Sequence, residues 1–276
     1  METNVQHLDR NTQGRDFFVG DLHGCFDLLD ALMVHVAFDE SKDRLISCGD
    51  WIDRGEDSGR CLDYLNKPCV FSVSGNHESM LVDRYLNKDD EWDNDDKEYY
   101  RWFLNLDEHH QKSVIDKFNS LPVLLDVPTP MGLVGAVHGE IPFRQEWFNL
   151  NWDSTCRILD NFSGTERQVD LIYRLLWDFS RLRSDYNVPI EGIDWVCSGH
   201  AFVPRPTKIA NVLYLDTGAF RNQLYGNINA SLTFLNTQTA TFTSCRIKRG
   251  DFHFVDHSLD TQKEIINATT SCFRHA

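Results

Sequence analysis

Five short segments place residues of metal-binding type beside glycine: Gly20-Asp21-Leu22-His23-Gly24, Gly49-Asp50-Trp51-Ile52-Asp53-Arg54-Gly55, Gly75-Asn76-His77-Glu78, His138-Gly139 and Gly199-His200. Their donors are imidazole, carboxylate and amide oxygen without thiolate, a set that suits Mn, Fe or Zn rather than a cysteine-rich structural zinc. Asp21 and His23 lie two apart, so in an extended segment both face one side and can hold one ion. The glycines let the chain turn sharply and let a bulky anion approach the backbone. A competing pattern, Cys48 to Arg54, matches the Cys-x5-Arg loop in which a thiolate attacks phosphate. Asp50 and Asp53 inside that loop would repel phosphate and raise the thiol pKa, so Cys48 is read as a core residue on a strand.

The elements that must position these donors can be read from the apolar runs. Asp16 to Gly20, Arg44 to Gly49, Cys69 to Gly75, Leu133 to Val137 and Trp195 to Gly199 have strand length and composition, and each delivers one of the polar segments. Phe26, Leu29, Leu32, Met33 and Val36 fall at helical spacing, as do residues of Ser58 to Leu65 and Glu78 to Leu86, which predicts β-α-β-α-β-α over the first ninety residues. Parallel strands joined by right-handed crossovers put their carboxyl ends on one edge, and in open α/β sheets that edge binds ligand. His110 to Ser120 reads as a helix with Val114, Ile115 and Phe118 inward, and Val212 to Val255 reads as strands and hairpins. Lys88 to Glu98 carries seven acids in eleven residues and reads as a solvated surface loop.

Composition bounds the partners. With 276 residues, 41% hydrophobic and 12% aromatic, the chain is long enough for one large α/β domain. Its 27 Lys and Arg against 42 Asp and Glu leave −15, which argues against nucleic acid or anionic membrane as a partner. Met1 to Gly14 is polar, no run approaches a membrane span, and the eight cysteines form no Cys-x-x-Cys pair, so the expectation is a cytoplasmic protein with reduced thiols.

In order and spacing the five segments resemble the signature of the phosphoprotein phosphatase family of calcineurin-like metallophosphoesterases, its bacterial and phage lambda-type members above all. The likeness runs from about Asp16 to Leu235. It implies a four-layer α/β/β/α sandwich of two mixed sheets, expected as a single domain over 1–276 with a core over about 16–235 and a C-terminal extension over about 236–276. It also implies two divalent ions, Mn(II) with Fe or Zn as alternatives. Asp21 and His23 would bind the first, Asp50 would bridge, and Asn76, His138 and His200 would complete the second. A hydroxide bridging the ions would attack phosphorus in line. His77 would protonate the leaving alkoxide, oriented by Asp53, and Arg54 would hold phosphate bidentately. Glu78 is expected to start a helix, where a carboxylate suits the dipole.

One position departs from the family pattern. In Trp177-Asp178-Phe179-Ser180-Arg181, Phe179 stands where the lambda-like group has a second phosphate-binding arginine. Arg181 matches the group's other arginine and Arg183 lies nearby, so either is a candidate replacement. The implied activity is hydrolysis of phosphoserine and phosphothreonine in proteins, with phosphotyrosine also open. The alternative is a dinucleoside tetraphosphate hydrolase or other nucleotide phosphoesterase, whose members carry Asp where this chain has Glu78. A catalytically dead scaffold would lack a ligand, and none is missing. Two divalent ions against the carboxylates of Asp21 and Asp50 leave about +2 at such a centre, so an acidic chain can still bind an anion there.

Overall fold

The computed structural model describes residues 4–87, 94–143, 151–161 and 164–259. In chain order the elements are β1 (Val5–His7), β2 (Asp16–Val19), α1 (Phe26–His35), β3 (Arg44–Ser47), α2 (Cys61–Leu65), β4 (Val70–Ser72), α3 (Asn76–Leu86), α4 (Asn94–Tyr99), α5 (Arg101–Leu104) and α6 (Glu108–Asn119). They continue with β5 (Leu124–Thr129), β6 (Gly132–Val137), α7 (Trp152–Asn161), α8 (Glu166–Trp177), β7 (Trp195–Ser198), β8 (Thr207–Ile209) and β9 (Val212–Tyr214). The last are α9 (Ala219–Tyr225), β10 (Leu232–Asn236), β11 (Thr241–Lys248) and β12 (Asp251–Ser258).

Two mixed six-stranded sheets result, ordered β1-β5-β6-β7-β9-β8 and β12-β11-β10-β2-β3-β4. The alternation of side chains along each strand explains why they pack face to face. Phe18, Ile46 and Leu235 from one sheet meet Leu125, Ala136, Cys197 and Leu213 from the other in a core between the sheets. Their neighbours Phe17, Val19, Leu45 and Phe234 point the opposite way, onto Leu28, Leu29, Leu32, Leu81 and Phe118 of α1, α3 and α6. On the far side, Leu124, Val137, Val196 and Val212 pack on Trp152, Leu159, Leu171 and Leu175 of α7 and α8. Helices, sheet, sheet, helices is the four-layer sandwich expected. Strands buried on both faces are apolar at every position, as in Phe17-Phe18-Val19.

β2, β3 and β4 lie parallel in one sheet, and β6, β7 and β9 lie parallel in the other. Three features differ from expectation. The polar N-terminal segment contributes β1, parallel to β5. The segment beyond Leu235, set aside as an extension, supplies β11 and β12, which continue the second sheet through Ser258. Within the acidic run, residues 94–99 are helical rather than a loop, and 88–93 lie outside the described residues. Among the described residues no helix is long and apolar enough to cross a membrane.

Candidate metal centre

Six parallel strands end at one edge, three from each sheet. β2, β3 and β4 lead into Asp21 and His23, Asp50, and Asn76; β6, β7 and β9 lead into His138, His200 and Asp216. All six predicted ligands therefore converge. Asp50 lies at the middle, its Oδ2 3.4 Å from His23 Nε2 and 3.4 Å from His138 Nε2. Asn76 Oδ1 is 2.8 Å from His138 Nε2 and 3.0 Å from His200 Nδ1. Asp21 Oδ2 stands 3.9 Å from His23 Nε2, and the Asp21 carboxylate accepts the His200 backbone N–H at 3.0 and 3.1 Å. Donor atoms 3 to 4 Å apart are what ligands about 2.1 Å from a shared ion present.

The tautomers follow from the partners. His23 Nδ1 is 2.8 Å from the Ile52 carbonyl and His138 Nδ1 is 2.8 Å from the Cys48 carbonyl. A carbonyl can only accept, so each Nδ1 carries a proton and each Nε2 is the ring nitrogen turned toward Asp50, where a metal would meet it. Arg54 Nη1 lies 3.0 Å from His23 Nε2, and a guanidinium can only donate, which places a lone pair at that nitrogen.

The electrostatics suit a bound cation. Burial, together with the charges of Asp216 and Asp50, pushes the Asp21 carboxyl well above the usual carboxylate range. Burial opposes ionisation of Asp50 too, but the facing His138 and His77 hold it well below that range. Burial likewise opposes a charge on His138, yet Asp50 lifts it to about 10, so a proton there balances the carboxylate. A divalent cation in contact with both would displace that proton and relieve the crowding. Burial keeps His23 neutral and, with His138 beside it, lowers His200 to about 3, the form in which imidazole ligates.

Backbone strain concentrates here. Among the described residues nine non-glycine positions have positive φ, and five of them are His23, Asp50, Asp53, Arg54 and His200, with φ between 47° and 67°. His23 reaches Asp21 through this left-handed turn and not through strand alternation, which corrects the extended-segment expectation. The glycines serve close approach: a Cβ on Gly75 would fall 2.1 Å from Asp50 Oδ1, and one on Gly199 would fall 2.2 Å from Asp21 Oδ1. They make room for the Asp50 and Asp21 carboxylates more than for an anion.

The remaining predicted residues divide. His77 Nδ1 is 2.7 Å from Asp53 Oδ2, while its Nε2 faces the centre 3.9 Å from Asp50 Oδ2. Arg54 is exposed at the rim with its guanidinium 4.8 Å over the Phe220 ring. Arg181 is turned inward, 2% exposed, with its Nη1 donating to the Val188 carbonyl at 2.6 Å and its guanidinium over Phe143 and Tyr186. Its backbone N–H donates to buried Glu140, so its described contacts are structural. Arg183 is exposed and rests 3.8 Å over the ring of Phe179, itself 5.5 Å edge-on from His200. Cys48 is fully buried, and burial raises its thiol pKa, as its reading as a core residue expects. The seven described cysteines are all buried and free.

Four participants were missed from sequence. Glu78 is fully buried and accepts the backbone N–H groups of Asp50, Trp51 and Gly75 at 2.9, 2.8 and 2.8 Å. Asp216 follows the apolar run Val212 to Leu215, the same signal that marked the other strand ends. Tyr99 Oη lies 3.0 Å from His77 Nδ1, and Trp102 Nε1 donates to Asp53 Oδ1 at 3.1 Å; no short-range pattern announces either.

Comparison with known proteins agrees with this geometry. The calcineurin-like phosphoesterase family profile matches residues 17–204. Serine/threonine-protein phosphatase 2 of Salmonella typhimurium is 32% identical over 206 residues, covering 73% of this chain and 86% of its own. The symmetrical bis(5'-nucleosyl)-tetraphosphatase of Actinobacillus succinogenes is 47% identical over only 68 residues, 24% of this chain and 25% of its own. A solved protein serine/threonine phosphatase from Saccharomyces cerevisiae shares the fold, with a TM-score of 0.57, 17% identity, and coverage of 93% of this chain and 84% of that one. With the ligand set gathered at one strand edge and the family profile spanning both sheets, the chain belongs to the calcineurin-like metallophosphoesterase family.

Proposed function

We propose that this chain is a metal-dependent phosphomonoesterase acting on phosphoserine and phosphothreonine in proteins, with phosphotyrosine as a further substrate. The observation that carries the reading is Asp50 placed between two histidine groups, His23 with His77 and His138 with His200, each with ligand atoms within 4.8 Å of one another. Asp21 and His23 would hold one divalent ion, Asn76, His138 and His200 the other, and Asp50 both, with Mn(II) the proposed metal. When bound, the ions supply Lewis acidity toward phosphoryl oxygens and acidify a water.

The chain's own residues account for the rest. Arg54 grips the phosphate from the rim with two parallel N–H groups. Arg183, carried on Phe179, is the proposed second cation in place of Arg181. His77 holds a proton at Nε2 for the leaving oxygen: burial disfavours its charged form, but Asp50 and Asp53 outweigh burial and raise its pKa. Asp53 keeps the Nδ1 proton and so the ring's orientation. The fold is proposed to act as a single domain in the cytoplasm.

A second reading is favoured by the short match to the tetraphosphatase: a dinucleoside tetraphosphate hydrolase with the same donors. Against it stand Glu78 and the longer similarity to the protein phosphatase. Incubation of the Mn(II)-loaded protein with a phosphoserine peptide and with diadenosine tetraphosphate decides between them. Preferential turnover of the peptide is expected; preferential turnover of the dinucleotide would reverse the assignment.

A further inference from the structure

His77 and Asp53 do not stand alone. The short helices α4 and α5 lay two aromatic side chains on them, just beyond the end of the acidic run. The Tyr99 ring packs 6.2 Å from the His77 ring at an interplanar angle of 26°, and its hydroxyl comes within 3.0 Å of Nδ1. Nδ1 also faces Asp53 Oδ2 at 2.7 Å, so one N–H is shared between carboxylate and phenol oxygen. The other Asp53 oxygen receives the Trp102 indole N–H at 3.1 Å, while the Asp53 backbone N–H donates to Ser58 Oγ at 2.9 Å. Asp53 thus has both oxygens engaged and its backbone anchored, and His77 has one face walled by a ring.

Each of these contacts constrains a degree of freedom that proton delivery depends on. The Trp102 bond stops the carboxylate from rotating away, and Tyr99 stops the imidazole from turning about its Cβ–Cγ axis. Nε2 is then left as the one ring nitrogen aimed at the centre. We propose that Tyr99 and Trp102 are positioning residues for His77, holding its Nε2–H on the line of the departing oxygen. The inference rests on the reading of His77 as general acid. It predicts a dependence on leaving group, because an alkoxide must be protonated as it leaves whereas a nitrophenolate departs without help.

The test is steady-state kinetics of the Mn(II)-loaded full chain on a phosphoserine peptide and on p-nitrophenyl phosphate, for wild type, Tyr99→Phe, Trp102→Phe and His77→Asn. Tyr99→Phe keeps the ring and removes only the hydroxyl, so it should fold; thermal unfolding confirms that. Expected is a roughly three- to tenfold fall in kcat on the peptide, the range one hydrogen bond carries, with KM little changed and a smaller fall on the aryl ester. His77→Asn should show the same selectivity more strongly. If His77→Asn is selective for leaving group while Tyr99→Phe and Trp102→Phe lose both substrates equally or neither, the positioning role is overturned and the His77 reading stands. If His77→Asn itself loses both substrates equally, the general-acid reading falls and this inference with it.

Discussion

The Glu78 carboxylate clasps the loop of Asp50: its two oxygens take the backbone N–H groups of Asp50 and Trp51, while Asp50 Oδ1 takes the backbone N–H of His77. The two motif loops therefore hold each other through reciprocal bonds from side chain to backbone. Burial and the Asp50 charge lift the Glu78 carboxyl to about 7, against the pull of its N–H donors. Replacing Glu78 with Ala orphans three buried amides at about 1 to 3 kcal/mol each before relaxation. We expect Glu78→Ala to lower the Tm by many degrees and to abolish turnover, read by calorimetry and by p-nitrophenyl phosphate hydrolysis. An unchanged Tm would refute the clasp.

The two arginines near Phe179 should separate cleanly. Arg183→Ala should raise KM for phosphopeptide roughly three- to tenfold with the Tm unmoved, as loss of one exposed charged contact would. Arg181→Ala removes a buried guanidinium bonded to Val188 and should destabilise the fold by about 1 to 3 kcal/mol. The reverse pattern would return the phosphate role to Arg181.

Metal should stabilise the fold as well as activate it. At a hundredfold excess over Kd, an ion bound only to the native state adds about 2.7 kcal/mol. Mn(II) should raise the Tm of chelator-treated wild type and restore hydrolysis, while Asp50→Asn, which removes the carboxylate between the two histidine groups, should lose most of both effects. Full turnover in chelator would exclude the proposed chemistry.

Part of the acid limb of stability should come from the pair of Arg15 and Asp43. Arg15 Nη2 meets Asp43 Oδ2 at 2.5 Å, and Arg15 N and Nε donate to Oδ1 at 2.8 and 3.2 Å. Burial opposes the Asp43 charge, but these bonds prevail and hold its carboxyl below the ordinary 3.8. A depressed carboxylate stabilises above the unfolded value and loses that contribution as pH falls through the folded one. Asp43→Asn should cost about 2 kcal/mol at neutral pH and show a shallower loss of Tm below pH 4 than wild type.

The edge residues Asp21, His23, Asp50, Asn76, His138 and His200 could be read from the chain because each follows an apolar run and stands next to glycine, a local pattern. Asp216 obeys the same rule but has no histidine near it in sequence to raise notice. Glu78 stands in the first turn of α3 as expected, but its bonds to the Asp50 loop were not legible, because a carboxylate there suits the dipole equally well whether it faces water or, as here, the interior. Tyr99 and Trp102 were out of reach, since they meet His77 and Asp53 across 22 and 49 residues from two helices too short to show a periodicity of their own. β11 and β12 read as strands, yet their place in the second sheet depends on pairing with β10, which no local pattern expresses.

The contact between Asp21 and the His200 backbone spans 179 residues and joins the two sheets. During synthesis the first half of the centre emerges with Asp21, Asp50 and Asn76 long before His138 and His200 exist. Closing a loop of that length must wait for both sheets to dock, so the centre is among the last parts of the molecule to assemble. On the proposed ligand set, metal capture would thereby be coupled to completion of the fold: a nascent or half-folded chain would offer only part of the donors, and the proposed hydrolysis would wait until the seam had closed.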